Sequence, residues 1–425
     1  MEYNKAGLSN LIKNKLIKET FWGFASKGIA FILLMGLNIF LARILGVEEF
    51  GLWSFLFAII TGIFLISNFG INASGKFIAQ YNSTDELKNV IRNSFKLRLL
   101  ISFFFALFIF FGSRTISVLV GHPEFEILLK YSSPLVFSMG FLEYLKTAFG
   151  GLHRIKYNFI VTVLEFGFKF IFVIFLFQFS TNLINIVNAF SLASFLTIVI
   201  GLSLLYFNFY IKIDRSTNIT SALDIIKYAI PLFFTSIGAV IATEIDTVML
   251  GLFSSNYEVG IYAVGKNLVN IIPQISMAIA MGTMPVFAKI NNKNKEELKL
   301  LFFKILRINT WLMGIITLGI IFLSGFLIPL IYGPRYAGAV FPLQILTIFL
   351  VSRSFLIFLN LFLDYQGLAK KRLLNSIISM ILNIILNLLL IPKYGAVGAS
   401  IATSIAYAPY VILNWLEVKK VLDTK

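Results

Sequence analysis

The sequence predicts an all-α polytopic membrane protein: twelve transmembrane helices in two six-helix lobes, related by a pseudo-two-fold axis along the membrane normal around a central cavity. Three observations predict it. The first is composition: 58% of the 425 residues are hydrophobic, 16% aromatic and 13% charged, with a mean hydropathy of +0.88. Soluble domains run at about 45–50% apolar and about 25% charged, and a soluble chain of this length needs more polar surface to cover its core. The second is a series of twelve long apolar runs. The third is where the basic residues fall between them.

In chain order the runs cover about 20–42, 51–72, 95–117, 127–149, 157–179, 184–208, 223–251, 258–287, 305–331, 337–363, 373–391 and 396–416. Each is close to or above the ~20 apolar residues that a spanning helix needs. None alternates with period two, as a membrane barrel strand would. The connecting segments are all shorter than roughly 25 residues, which leaves no room for a folded aqueous domain. Ahead of the first run, Leu8, Leu11, Ile12 and Leu16 recur at helical spacing against Lys5, Lys13, Lys15 and Lys18. That pattern predicts an amphipathic helix near 5–18, lying on the membrane surface. The first run is too long for a secretory signal, and no small-x-small cleavage site follows it.

With the N-terminus taken as cytoplasmic, the segments on that side hold 26 of the 36 Lys and Arg, Arg98 among them. With residues near the run ends counted to the adjoining side, the opposite side holds five and the interiors of the runs hold five. This bias at every alternate loop follows the positive-inside rule. It places both termini in the cytoplasm and the chain in the cell membrane. The net charge of +16 therefore points to anionic membrane lipids as partners rather than to nucleic acid. Cysteine is absent, which excludes disulfides, thiolate metal sites and a Cys nucleophile. No cofactor, metal or catalytic residue is expected.

The chain also carries an internal echo. Glu49-Phe50-Gly51-Leu52-Trp53-Ser54 matches Glu258-Val259-Gly260-Ile261-Tyr262-Ala263 position for position, 209 residues apart. Gly151-Leu152 with Arg154 and Lys156 parallels Gly367-Leu368 with Lys370, Lys371 and Arg372. Both pairs sit at equivalent places in the run count, so the reading is two parallel six-helix repeats, 1–210 and 211–425. Eight of the ten prolines lie in the second repeat, which marks it as the one with more bent helices.

Several segments resemble a known family. Leu41-Ala42-Arg43-Ile44-Leu45-Gly46, Phe50-Gly51-Leu52 and Asn68-Phe69-Gly70 look like the opening signature of polysaccharide-biosynthesis (O-antigen-type) flippases. These belong to the multidrug/oligosaccharidyl-lipid/polysaccharide exporter superfamily. Asp246-Thr247-Val248-Met249-Leu250-Gly251 is similar to the family's seventh-helix pattern, and Ile391-Pro392-Lys393-Tyr394-Gly395 to its segment between helices eleven and twelve. Asn68 departs from relatives that carry an acid there. The resemblance implies a transporter that moves a lipid-linked oligosaccharide or polysaccharide precursor by alternating access. It would act as a monomer, alongside other membrane proteins of glycan assembly. A multidrug antiporter of the same superfamily shares this architecture. An enzyme on polyprenyl-linked sugars, a glycosyltransferase or polymerase, would need catalytic acids or histidines near the surface; the two histidines, His122 and His153, lie in short loops.

Ionisable residues inside the runs point independently to a functional path, because each costs about 2.5–3.5 kcal/mol at a helix centre. Lys27, Lys169, Lys266 and Arg353 are the candidate cavity cations, suited to a pyrophosphate or acidic sugar. Glu165, Glu244 and Asp246 are candidates for ion coupling or ion pairing. Glu165 precedes Lys169 by four residues, the favoured order for a helical ion pair. Lys266 and Arg353 could each instead pair with Glu244 or Asp246. Asn360, Asn383 and Asn387 read as helix–helix glue.

Overall fold

The computed structural model describes residues 3–68, 71–82, 86–213, 222–280 and 295–423, and no strand occurs among them. Its helices are α1 (Tyr3–Ser67), α2 (Ile71–Gln80), α3 (Leu87–Val120), α4 (Phe125–Gly151), α5 (Ile155–Phe177), α6 (Leu183–Asn208), α7 (Ala222–Phe253), α8 (Asn256–Ile271), α9 (Lys295–Tyr332), α10 (Val340–Tyr365) and α11 (Ala369–Asp423). A further helical stretch covers 273–280. Two helices are double. α1 breaks at Gly46 (φ 76, ψ 179) and α11 at Gly395 (φ 51, ψ −128). Only glycine takes up such backbone without a Cβ penalty.

Each break separates two of the apolar runs, the first from the second and the eleventh from the twelfth. The remaining runs also fall on helices, although the second outlasts α1 and the eighth enters residues outside the described ones. Among the described residues, seven helical stretches are long and apolar enough to cross a membrane, two of them the broken α1 and α11. The chain is a multi-pass membrane protein. Residues 5–18 are helical within α1, but their side chains lie outside the described residues.

The chain divides into two compact units, one of 1–40 with 56–240 and the other of 41–55 with 241–425. In the first unit α3 shows the inversion that lipid imposes. Its buried face is Ser94, Arg98, Ser102, Ala106, Ile109, Ser113 and Ser117, while Leu100, Phe104 and Phe111 stand exposed. Small residues inside let helices approach closely, and bulky apolar ones outside meet lipid tails.

This face corrects one reading. Arg98, counted among the loop cations, is 2% exposed. The structure starts α3 at Leu87, so Arg98 lies three turns into a helix instead of at its mouth. Its guanidinium donates to the Ser67 carbonyl at 2.6 Å, at the C-terminus of α1, where the helix dipole is negative. A methyl group on Gly140 of α4 would collide with it, so the glycine makes the space that Arg98 fills.

In the second unit the first pair of matching segments found in the sequence meets. Gly51 lies against the Asn256 carbonyl and Gly260 against the Val47 carbonyl, each so close that a Cβ would strike the oxygen. The contact is reciprocal: 47 to 256 and 51 to 260 are both offsets of 209 residues. Backbone approach of this kind permits weak Cα–H···O contacts that a side chain would abolish. Gly51→Ala and Gly260→Ala are each expected to destabilise by about 1–3 kcal/mol through overpacking, read as a lowered melting temperature of the purified protein. Unchanged melting of the double variant would contradict the approach.

Candidate functional site

Among the described residues, two clusters of charge lie within the helices, one in each unit. In the first unit Glu165 accepts from Lys169 at 2.6 Å, the i,i+4 pair that the spacing suggests. The structure adds Lys146 of α4, whose ammonium stands 2.7 Å from the other Glu165 oxygen and 3.9 Å from Glu143. Glu165 and Lys169 are each 6% exposed. Lys169 also lies over the rings of Phe166 and Phe190, 5.1 and 5.4 Å from their centroids. One carboxylate thus holds two ammonium groups and ties α4 to α5. Lys146 was legible as a cation within a run, but nothing in the spacing joined it to a residue 19 positions away.

In the second unit a cavity of about 240 Å³ is lined by Asp246, Tyr262, Lys266, Asn270, Arg353 and Tyr407 among others. Its order comes from α8. Tyr262, Lys266 and Asn270 are four residues apart, hence on one face, and each holds a different charged partner. The Tyr262 hydroxyl donates to Asp246 at 3.0 Å. The Lys266 ammonium donates to Glu244 at 3.1 Å and to the Thr247 hydroxyl at 2.8 Å. The Asn270 side-chain oxygen accepts from Arg353.

Asp246 is buried and takes two more donors from α11, the Asn387 amide at 2.6 Å and the Thr403 hydroxyl at 2.8 Å. These two lie on opposite sides of the Gly395 break. Asn387 thus bonds one helix to another, α11 to α7. Glu244 and Asp246, two apart, face different partners, as helical geometry requires. Arg353 differs from the other cavity charges. Among the described residues it has no carboxylate partner; it binds the neutral Asn270 and sits 5.8 Å from the Phe349 ring centroid. Lys27 belongs to neither cluster; it is exposed on α1, with no ion pair among the described residues.

The profile of the family described as polysaccharide biosynthesis protein matches residues 16–291, and that of MatE matches 231–389. The chain is 28% identical over 404 residues to the uncharacterized membrane protein MJ1375 of Methanocaldococcus jannaschii, covering 89% of this chain and 91% of that protein. It is 25% identical over 201 residues to the probable low-salt glycan biosynthesis flippase Agl15 of Haloferax volcanii, covering 46% of this chain and 41% of that one. Among solved structures, the inward closed conformation of the lipid II flippase MurJ superimposes with a TM-score of 0.76 at 20% identity, over 95% of this chain and 87% of that chain.

Proposed function

The chain belongs to the polysaccharide biosynthesis protein family, and from that premise we propose that it is a flippase, carrying a lipid-linked oligosaccharide or polysaccharide precursor across the cell membrane by alternating access. In this reading it has twelve spanning helices in two related six-helix lobes, with both termini cytoplasmic. The relative named as a probable low-salt glycan biosynthesis flippase supports the substrate class, and a second relative, named as a probable flippase, supports the activity. The reciprocal glycine contact, on the sequence's own 209-residue offset, supports the two repeats.

The observation that carries the substrate charge is Arg353. Asp246 is satisfied by three neutral donors and Lys266 by Glu244. That leaves a guanidinium on the cavity wall whose only side-chain hydrogen bond among the described residues goes to a neutral amide. A guanidinium grips phosphate or carboxylate oxygens in pairs, which suits the acidic end of a lipid-linked glycan. Lys169, Lys266 and Lys27 are secondary cations in this scheme, the first two already offset by Glu165 and Glu244.

Asp246 is the coupling residue of this scheme. Its partners come from α8 and from both halves of α11, so a change in its charge or occupancy acts on three segments at once. In proteoliposomes loaded with a fluorescent lipid-linked glycan, the wild-type chain is expected to move label between leaflets faster under an imposed ion gradient. Asp246→Asn is expected to remove that acceleration while leaving slow, gradient-independent movement. Acceleration retained by Asp246→Asn would move coupling elsewhere. A multidrug antiporter is the second reading, favoured by the MatE match over 231–389. Transport of a cationic dye with no glycan movement would establish it in place of the first.

A further inference from the structure

A second cavity, in the first unit, takes no part in the charge clusters. It holds about 450 Å³ and lies between α3 and α6, with Tyr144 of α4 on its floor. Ile91, Phe95, Leu202, Leu205 and Phe207 make its walls apolar. Two of the hydroxyls along them are already engaged: that of Tyr144 donates to the Ile91 carbonyl at 3.1 Å, and that of Ser203 to the Val199 carbonyl at 2.8 Å. A ligand inside would thus meet mainly hydrocarbon and aromatic rings.

The rim is different. Arg92 lines the cavity, is exposed, and has no ion pair among the described residues. Lys88 and Lys96 lie one turn to either side of it on α3. Lys88 stands over the ring of Tyr210, 5.2 Å from its centroid, and donates to the Ile213 carbonyl at 2.7 Å. Beyond Lys96 the outer face of α3 turns apolar at once, with Leu99, Leu100, Phe103 and Phe104 exposed. On α6 the facing residues are Tyr206 and Phe207, 47% and 64% exposed. A basic turn meeting an apolar face, flanked by tyrosines, is the signature of a helix at the headgroup level. The cavity thus sits at the boundary between hydrocarbon and headgroups, open along its apolar side and cationic at its rim.

We propose that this cleft binds an anionic phospholipid of the adjoining leaflet, one acyl chain between α3 and α6 and the phosphate against Arg92. Charge decides the headgroup. A zwitterionic lipid would bring a second cation toward Lys88, Arg92 and Lys96, whereas an anionic one brings only the complementary charge. The site is separate from the charge clusters, so the proposal stands whichever substrate the protein moves.

The test uses the full chain in detergent micelles with defined lipid, read by native mass spectrometry. Wild type is expected to retain phosphatidylglycerol in preference to phosphatidylcholine. Arg92→Gln is expected to weaken that retention about fivefold, equivalent to the ~1 kcal/mol that one basic residue contributes near an anionic surface. Ser203→Trp, which fills the cleft from its rim, is expected to lose both lipids while its melting temperature stays at the wild-type value. Equal retention of the two lipids by wild type would overturn the proposal, as would undiminished phosphatidylglycerol on Ser203→Trp. Displacement of phosphatidylglycerol by an equimolar isoprenoid phosphate would also overturn it, and would assign the cleft to the carrier lipid of a substrate.

Discussion

Replacing Arg353 with alanine is expected to cut glycan transfer by about 10–100-fold at unchanged membrane abundance. The factor corresponds to a charged hydrogen bond worth about 1.5–3 kcal/mol. Arg353 is singled out because its neighbours do not neutralise it: Asn270 offers a neutral amide and Phe349 a ring face. Arg353→Lys keeps the charge and loses the planar fork, so it should fall between wild type and alanine. Lys266→Ala should cost less in substrate binding, because Glu244 already offsets the Lys266 charge; the part of its loss that comes from stranding Glu244 should be recovered by adding Glu244→Ala. Wild-type transfer by a chain carrying Lys266→Ala and Arg353→Ala together would end the cationic-cavity reading. Quantitative export of glycan from cells, normalised to protein in the membrane, measures all of these.

The largest effect on stability is expected at Glu165. Glu165→Gln takes from Lys146 and Lys169 the carboxylate they share, leaving Lys146 only the more distant Glu143 at 3.9 Å, and breaking a buried ion pair from one side costs about 3–5 kcal/mol. The purified variant should melt well below wild type. Adding Lys146→Met should restore much of the loss, since it withdraws one of the two stranded charges and keeps the apolar stem that packs against α5. If Glu165→Gln melts like the wild type, the three-residue cluster is not what joins α4 to α5. A transport defect that persists in the rescued double variant would give Lys146 a part in substrate movement beyond its structural one.

The clusters differ in how far they could be read in advance. Glu165 and Lys169 are neighbours on one helix, so their spacing alone announces the pair. Asp246 announces itself twice, by the cost of a carboxylate in an apolar run and by the motif around it. Its partners do not. Tyr262, Asn387 and Thr403 lie 16, 141 and 157 residues away, and no local periodicity connects them. Tyr262 does belong to a segment that matches the first repeat, which was the available signal. Position in sequence misplaces Arg98 for a related reason. Taken by its position in sequence it is one more cation near a helix mouth. Its burial depends on where α3 begins and on Gly140 leaving room in another helix.

Sequence alone was enough to establish a multi-pass helical membrane protein, the order of its apolar runs, its family likeness and the residue types too costly to bury without a reason. Those properties are local: lipid penalises each exposed backbone group and each unpaired charge wherever it stands, so composition and period record them directly. Tertiary structure decided which charges cancel. It gave Glu165 a second lysine, Lys266 to Glu244 and three neutral donors to Asp246, and among the described residues it left Arg353 with no carboxylate. Pairing at 3 Å depends on which faces of distant helices meet, and it is the pairing that determines which buried charge remains for a ligand.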